Sequence, residues 1–204
     1  MNRIIDVSMP DIPGFVMHRQ DGSLSCWVAA ARSVLDFYAG APGGHDETTQ
    51  KELVSLFSTG GKASGDPDTV LLAAGALRNS EKFNGDDAAL GQVPRIFLRI
   101  KDSVTRGEPI VVSLRQAASK HVGHAVVIYG YDPDRTLHMG DPARPSIPIS
   151  AKLDDVMLNF APYPEVEFSS MRYYCEKLSF TQQPPAWRAR RVQLPGLYSG
   201  FYSK

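Results

Sequence analysis

Residues 20–38 read "QDGSLSCWVAAARSVLDFY", and within them a polar, turn-forming loop becomes an apolar helix at one residue, Cys26. Ser25 stands where a helix N-cap is favoured, and the pattern predicts a helix from Cys26 to about Tyr38, before the breaker "AGAPGG". Trp27, Ala30, Ala31, Val34 and Tyr38 share one face of it, expected to enter the core. Arg32, Ser33 and Asp36 share another, expected to be wet. A cysteine in the first turn of a helix sits among unpaired N–H groups and the positive end of the macrodipole, where a thiolate is favoured.

The rest of the first half reads as helical too. Thr49 and Glu52 have the spacing of a capping box for a second helix that carries Leu53, Leu56 and Phe57 inward and ends at Gly60-Gly61. A third opens at Asp66 with Pro67 as its first residue and runs through Val70, Leu71, Ala74 and Leu77. Ile96, Phe97, Ile100 and Val104 mark a fourth, stopped by Gly107. After that the pattern changes to short apolar runs: 109–114 "PIVVSL", 124–131 "HAVVIYGY", 136–139 "TLHM" and 147–150 "IPIS". These read as buried strands, followed by a short helix at about 151–160 and one or two strands within 166–180. The last twenty residues fit no element. Helices first and an antiparallel sheet second predict the α+β class.

Two further residues complete a chemical set with Cys26. His124 opens a buried strand, so rigid backbone would hold its ring, and Gly123 beside it admits close approach of another chain. Asp141, in "MGDPA", ends the next short strand; antiparallel neighbours would bring the two together, with the carboxylate accepting the Nδ1 proton of His124. Pro142 would terminate that strand. Gln20, six residues before Cys26, could aim an amide at an oxyanion beside the Cys26 N–H. Free cysteine is only slightly ionised at neutral pH, and a nucleophilic one needs a histidine and a helix terminus of this kind.

Competing assignments exist for most of these positions. Cysteine is among the most buried residue types, and Cys175, in an alternating strand, reads as a core residue. Trp27 reads as packing. His138 is the other candidate base, whereas His18, His45 and His121 look ordinary. His121 and His124 have no second carboxylate or cysteine at ligand spacing, so no metal is expected, and nothing asks for a cofactor. Asp132 and Asp134 compete with Asp141, but lie in a Pro-containing turn eight and ten residues from His124, about 25 Å along a strand.

The ordered set of Gln20, "SCW" opening a helix, Gly107-Glu108-Pro109, "GHAVVIYGYD" and "GDPA" resembles the papain-like cysteine peptidases. It is most similar to their compact bacterial branch, which includes plant-pathogen effector proteases and bacteriocin-leader peptidase domains. The resemblance covers roughly residues 14–150. It implies a single catalytic domain over 1–204, with a helical lobe (1–106) carrying the nucleophile Cys26 and a sheet lobe (107–204) carrying the base His124 and the orienting Asp141. Gln20 would serve the oxyanion hole, with substrate in a cleft between the lobes. Papain itself has Asn as the orienting residue, where this chain has Asp. A Cys-His-Asp set is common to peptidases, transglutaminases, glutamine deamidases and muropeptide amidases, and an inactive peptide-binding module would share the fold.

Composition narrows the partners. The chain has 204 residues, 43% hydrophobic and 22% charged, and Lys+Arg and Asp+Glu balance at 22 each, so no overall field recruits nucleic acid or an anionic membrane. No stretch approaches the ~20 apolar residues of a membrane span, and the charged, Pro-containing N-terminus does not read as a signal peptide. The expected setting is the cytoplasm of the producing cell, with export by a leaderless secretion system and a host target or activator protein as what the resemblance implies. The expected partner is a protein or peptide substrate. Two cysteines do not make a disulfide framework.

Overall fold

The computed structural model describes residues 11–22, 24–40, 47–58, 65–83, 91–118, 123–162 and 171–184. His45, His121, the N-terminal ten residues and the last twenty lie outside them.

Along the chain run α1 (Cys26–Ala39), α2 (Glu47–Phe57), α3 (Pro67–Ala74), β1 (Leu77–Lys82), α4 (Val93–Thr105), β2 (Ile110–Gln116), β3 (Gly123–Tyr131), β4 (Thr136–Gly140), β5 (Ile149–Lys152), α5 (Leu153–Leu158) and β6 (Tyr173–Thr181). The six strands form one antiparallel sheet in the order β1-β6-β2-β3-β4-β5. This is an α+β architecture.

The apolar run of β2 is continuous because both faces of the strand are covered. Ile110, Val112 and Leu114 join Val126 and Ile128 of β3 in a core beneath α4 and α5. Val111, Ala125 and Val127 face the opposite way and meet Trp27, Ala30, Ala31 and Val34 of α1 and Val70 and Leu71 of α3. Each fully buried aliphatic side chain here contributes roughly 1.5–3 kcal/mol. Gly123 lies against β2, where a Cβ would meet the Leu114 carbonyl oxygen at 3.2 Å.

Several expectations change. The polar face of α1 is not wet: Arg32, Ser33 and Asp36 are all buried. They are buried because they satisfy one another and the preceding segment. Arg32 Nε donates to Asp36 Oδ2 at 2.8 Å, His18 Nε2 lies 2.9 Å from the same oxygen, and the Ser33 hydroxyl accepts from His18 N–H and donates to the Ala29 carbonyl. His18 is thus part of a buried polar cluster around Asp36. Helix α3 stops at Ala74 instead of running through Leu77, because Gly75 turns left-handed at φ 72° and closes the last turn. The chain then enters β1, a strand inside the half expected to be helical. It is an exposed, charged edge strand, paired with β6 and tied to α4 through Glu81, which meets both Arg95 and Arg99. Helix α2 begins at Glu47, two residues before Thr49, so Thr49 is not its N-cap.

Other expectations are met. Asp66 caps α3 by accepting from Asp68 N–H, with Pro67 following. Gly107, at φ 73°, ends the turn after α4. Cys175 is fully buried in the sheet, and neither cysteine is in a disulfide. Among the described residues no helix is long and apolar enough to cross a membrane.

Candidate active site

Helix α1 begins at Cys26, as its sequence predicts, but Ser25 occupies the N-cap position without capping. Its hydroxyl turns back to Gly22, accepting from the Gly22 N–H at 2.9 Å and lying as close to the Gly22 carbonyl. The Ser25 side chain therefore takes none of the first-turn N–H groups, and the positive end of the helix stays directed at whatever stands before it. Cys26 is the first residue there, 8% exposed.

His124 opens β3. In the β3–β4 register Val127 stands opposite Gly140, so the next residue of the returning chain, Asp141, falls beside Val126, one two-residue step from His124 on the same side. The contact spans that step: His124 Nε2 lies 2.8 Å from Asp141 Oδ2. The nitrogen is Nε2 and not the expected Nδ1. Reach is the reason, since Nε2 is at the far end of the ring and Nδ1 beside its base. With Nε2 turned to Asp141, Nδ1 is the ring nitrogen left for Cys26, which also acts on the ring.

Asp141 has no exposed surface, and its other oxygen accepts from the Ala143 N–H at 2.7 Å. Burial of the His124 ring disfavours its cation, but the hydrogen bonds and charges of Asp141 and Cys26 outweigh that penalty and push its pKa up to about 10. A residue that the sequence reading passed over, Tyr173 of β6, packs its ring 6.2 Å from that of His124. Burial, with the nearby Asp141 and Cys26, raises the Tyr173 phenol. In the sequence only the weak alternation of 166–180 points to a strand there.

Gln20 is held close to this group through its backbone, its N–H donating to the Pro142 carbonyl at 2.9 Å, one residue past Asp141. Its side chain does not line the cleft. Nε2 donates to the Gly22 carbonyl at 3.0 Å, and Oε1 is buried with no hydrogen-bond partner among the described residues. The structure thus brings Cys26, His124 and Asp141 together and places Gln20 on the adjoining loop.

The rival residues fall elsewhere. His138 lies between Asp11 and Asp132, Nδ1 at 2.6 Å from one and Nε2 at 3.1 Å from the other. Asp134 accepts from the Thr136 N–H and pairs with Lys152, a turn role. Trp27 is 3% exposed, in the core as expected, but its ring also reaches the cleft.

The cleft holds about 370 Å³ and runs from Cys26 and His124 past Trp27 to Lys177. Its far wall is pinned by α3, because the buried Lys177 ammonium is 2.9 Å from Asp68 and also pairs with Asp66. The Ser113 hydroxyl on this wall is buried with no partner among the described residues. Among those residues no group of three or more His, Cys, Asp or Glu could hold a metal ion. A thiol and an imidazole that line a cleft, with a buried carboxylate hydrogen-bonded to the imidazole, have the composition needed for acyl transfer through sulfur.

No curated protein matches the chain. A family model does, that of the Peptidase_C39 like family, over residues 11–159. That span holds α1, the first five strands and Gln20, Cys26, His124 and Asp141, so the chain belongs to the Peptidase_C39-like family and is a papain-like cysteine peptidase.

Proposed function

We propose that this peptidase cleaves a protein or peptide substrate with Cys26 as nucleophile, His124 as acid and base, Asp141 as the residue that orients and charges His124, and Gln20 as an oxyanion donor. The observation that carries the reading is the His124–Asp141 hydrogen bond at 2.8 Å, in a cleft that Cys26 of the first turn of α1 and His124 both line. Cys26 gives its S–H proton to neutral His124, forming the thiolate–imidazolium pair, and the thiolate then attacks the scissile carbonyl carbon. The C–S bond forms, and the π electrons move to oxygen. The helix N–H groups face that charge. The Gln20 amide nitrogen has two N–H bonds, of which the Gly22 carbonyl takes one. As the tetrahedral centre collapses, the C–N bond breaks and His124 gives its proton to the leaving amine. Water, deprotonated by His124, then attacks the thioester, and the acid leaves as Cys26 recovers its sulfur.

Cleavage of one chosen protein fits the small, charged cleft. The sequence resemblance to effector proteases extends the proposal to a target outside the producing cell. The test begins with leupeptin, a peptidyl aldehyde that adds to an activated thiol. Intact mass should show one adduct on the parent and none on Cys26→Ala. Digestion of a mixed peptide library should then yield new N-termini with the parent alone. Products shifted by one dalton without chain cleavage would mean deamidation, and amine incorporation would mean transamidation. Either result would overturn the peptidase assignment of the acyl acceptor.

A further inference from the structure

Gln20 stands at the end of a loop whose local contacts do not hold it. Its Oε1 and the neighbouring Asp21 Oδ1 are both buried with no hydrogen-bond partner among the described residues. Buried acceptors without donors give a loop reason to rearrange, so something outside the loop must keep it in place. That group comes from α2. Gln50, 1% exposed, inserts its amide between two peptide units: Nε2 donates to the Arg19 carbonyl at 2.8 Å, and Oε1 accepts from the Asp21 N–H at 3.2 Å. These groups flank Gln20 on either side, and the Gln20 N–H itself is fixed to the Pro142 carbonyl. The loop is thus held at three successive residues, twice by one side chain.

We propose that Gln50 is a positioning residue of the active site, acting through Gln20. It clamps the main chain on both sides of Gln20 and so sets where the Gln20 amide meets the oxyanion. This rests on the role given to Gln20 above. An amide suits the task because it offers an uncharged donor and acceptor at one fixed spacing, matching a carbonyl and an N–H two residues apart. A remote change that shifts a catalytic donor by about an ångström costs on the order of 100-fold. The expected effect therefore falls on steps that develop an oxyanion and spares those that need the thiol alone.

Two probes separate the steps. Leupeptin adds to Cys26 through its aldehyde carbon, forming the C–S bond and an oxyanion-derived hemithioacetal. Iodoacetamide alkylates the sulfur by displacing iodide and makes no oxyanion. Gln50→Met keeps the buried volume and removes both hydrogen bonds; Gln50→Glu keeps the acceptor for Asp21 and loses the donor to Arg19. Full-length protein and both variants, each also combined with Gln20→Ala, are measured with both probes. We expect Gln50→Met to raise the leupeptin inhibition constant on the order of 10- to 100-fold and Gln50→Glu to raise it less, with the iodoacetamide rate at Cys26 within about twofold of parent. In the Gln20→Ala background the same changes should add less than about twofold, because the residue they act through is gone. An unchanged inhibition constant in both variants would overturn the proposal, as would effects that multiply with that of Gln20→Ala. Loss of iodoacetamide labelling in step with leupeptin binding in both variants would also do so, by showing a general collapse of the site. Failure of the parent itself to bind leupeptin at Cys26 would remove the acyl-transfer reading and this proposal with it.

Discussion

Asp141→Asn tests the centre of the site with the least disturbance to its shape. The carboxylate is wholly buried and both its oxygens are engaged, Oδ2 with His124 Nε2 at 2.8 Å and Oδ1 with the Ala143 N–H at 2.7 Å. An amide has the same volume but one oxygen. If that oxygen faces His124, the NH₂ group meets the Ala143 N–H, donor against donor; if it faces Ala143, His124 loses its acceptor. In either orientation the charge-assisted bond is lost, and such bonds are worth about 1.5–3 kcal/mol. At 1.36 kcal/mol per pKa unit, the His124 cation loses about 1–2 units of stabilisation from its raised value near 10. The sign follows from that direction: the cation is present below the folded pKa and lost as pH rises through it, so the variant loses it at lower pH. The chain has five histidines. With [¹³C]histidine protein, the Cε1–H signal absent from His124→Gln identifies the ring, and its titration midpoint gives the shift. A midpoint in Asp141→Asn that stays at the parent's value, or moves upward, would show that Asp141 does not hold the proton on the ring.

Further outcomes follow from other parts of the structure. Cys175 has no exposed surface, and burial pushes its thiol up to about 12, so iodoacetamide at pH 8 should label Cys26 in the native protein and reach Cys175 only in denaturant, as peptide mapping will show. Asp36→Ala leaves His18 and Arg32 buried without their shared carboxylate and should cost about 3–5 kcal/mol in urea denaturation, a loss below 1 kcal/mol contradicting the importance of that cluster. At Gly65 a Cβ would come within 2.6 Å of the Trp27 ring, so Gly65→Ala should cost about 1–3 kcal/mol and alter tryptophan fluorescence. Burial lowers the His138 pKa, but Asp11 and Asp132 raise it more, for a net increase. Asp11→Asn should therefore lower its NMR midpoint and destabilise the protein at pH 6, with the penalty fading as pH rises through the parent's folded pKa.

The residues that bury side chains in a regular period were the most readable. "CWVAAARSVLDFY" announced α1 through its small and apolar face, and "HAVVIYGY" announced β3 through a run buried on both sides. The proximity of Asp141 to His124 followed from antiparallel neighbours and a short turn, which a sequence displays. Which ring nitrogen faces the carboxylate depends on a side-chain rotamer, and no pattern of residues encodes that. β1 was hidden because "LRNSEK" does not alternate and its single apolar residue, Leu77, fits the period of the preceding helix; its strand state comes from the backbone of β6, far away in sequence. The wet reading of Arg32, Ser33 and Asp36 failed for a related cause, since their partner His18 belongs to a different segment. Gln50 left no trace at all: on a helix, one buried glutamine looks like any exposed one until the loop it holds is in place.

The order of the elements gives the site a history within each new molecule. Cys26 leads the first helix of the chain, whereas its partners come from β3 and the turn after β4, past the middle of the chain. While the ribosome is still making the sheet, the Cys26 thiol lacks His124 and Asp141 beside it, and contacts between parts so distant in sequence form late. During synthesis the nascent chain therefore carries the Cys26 thiol before the groups that come to face it, and the three meet only when β3 and the turn after β4 have docked.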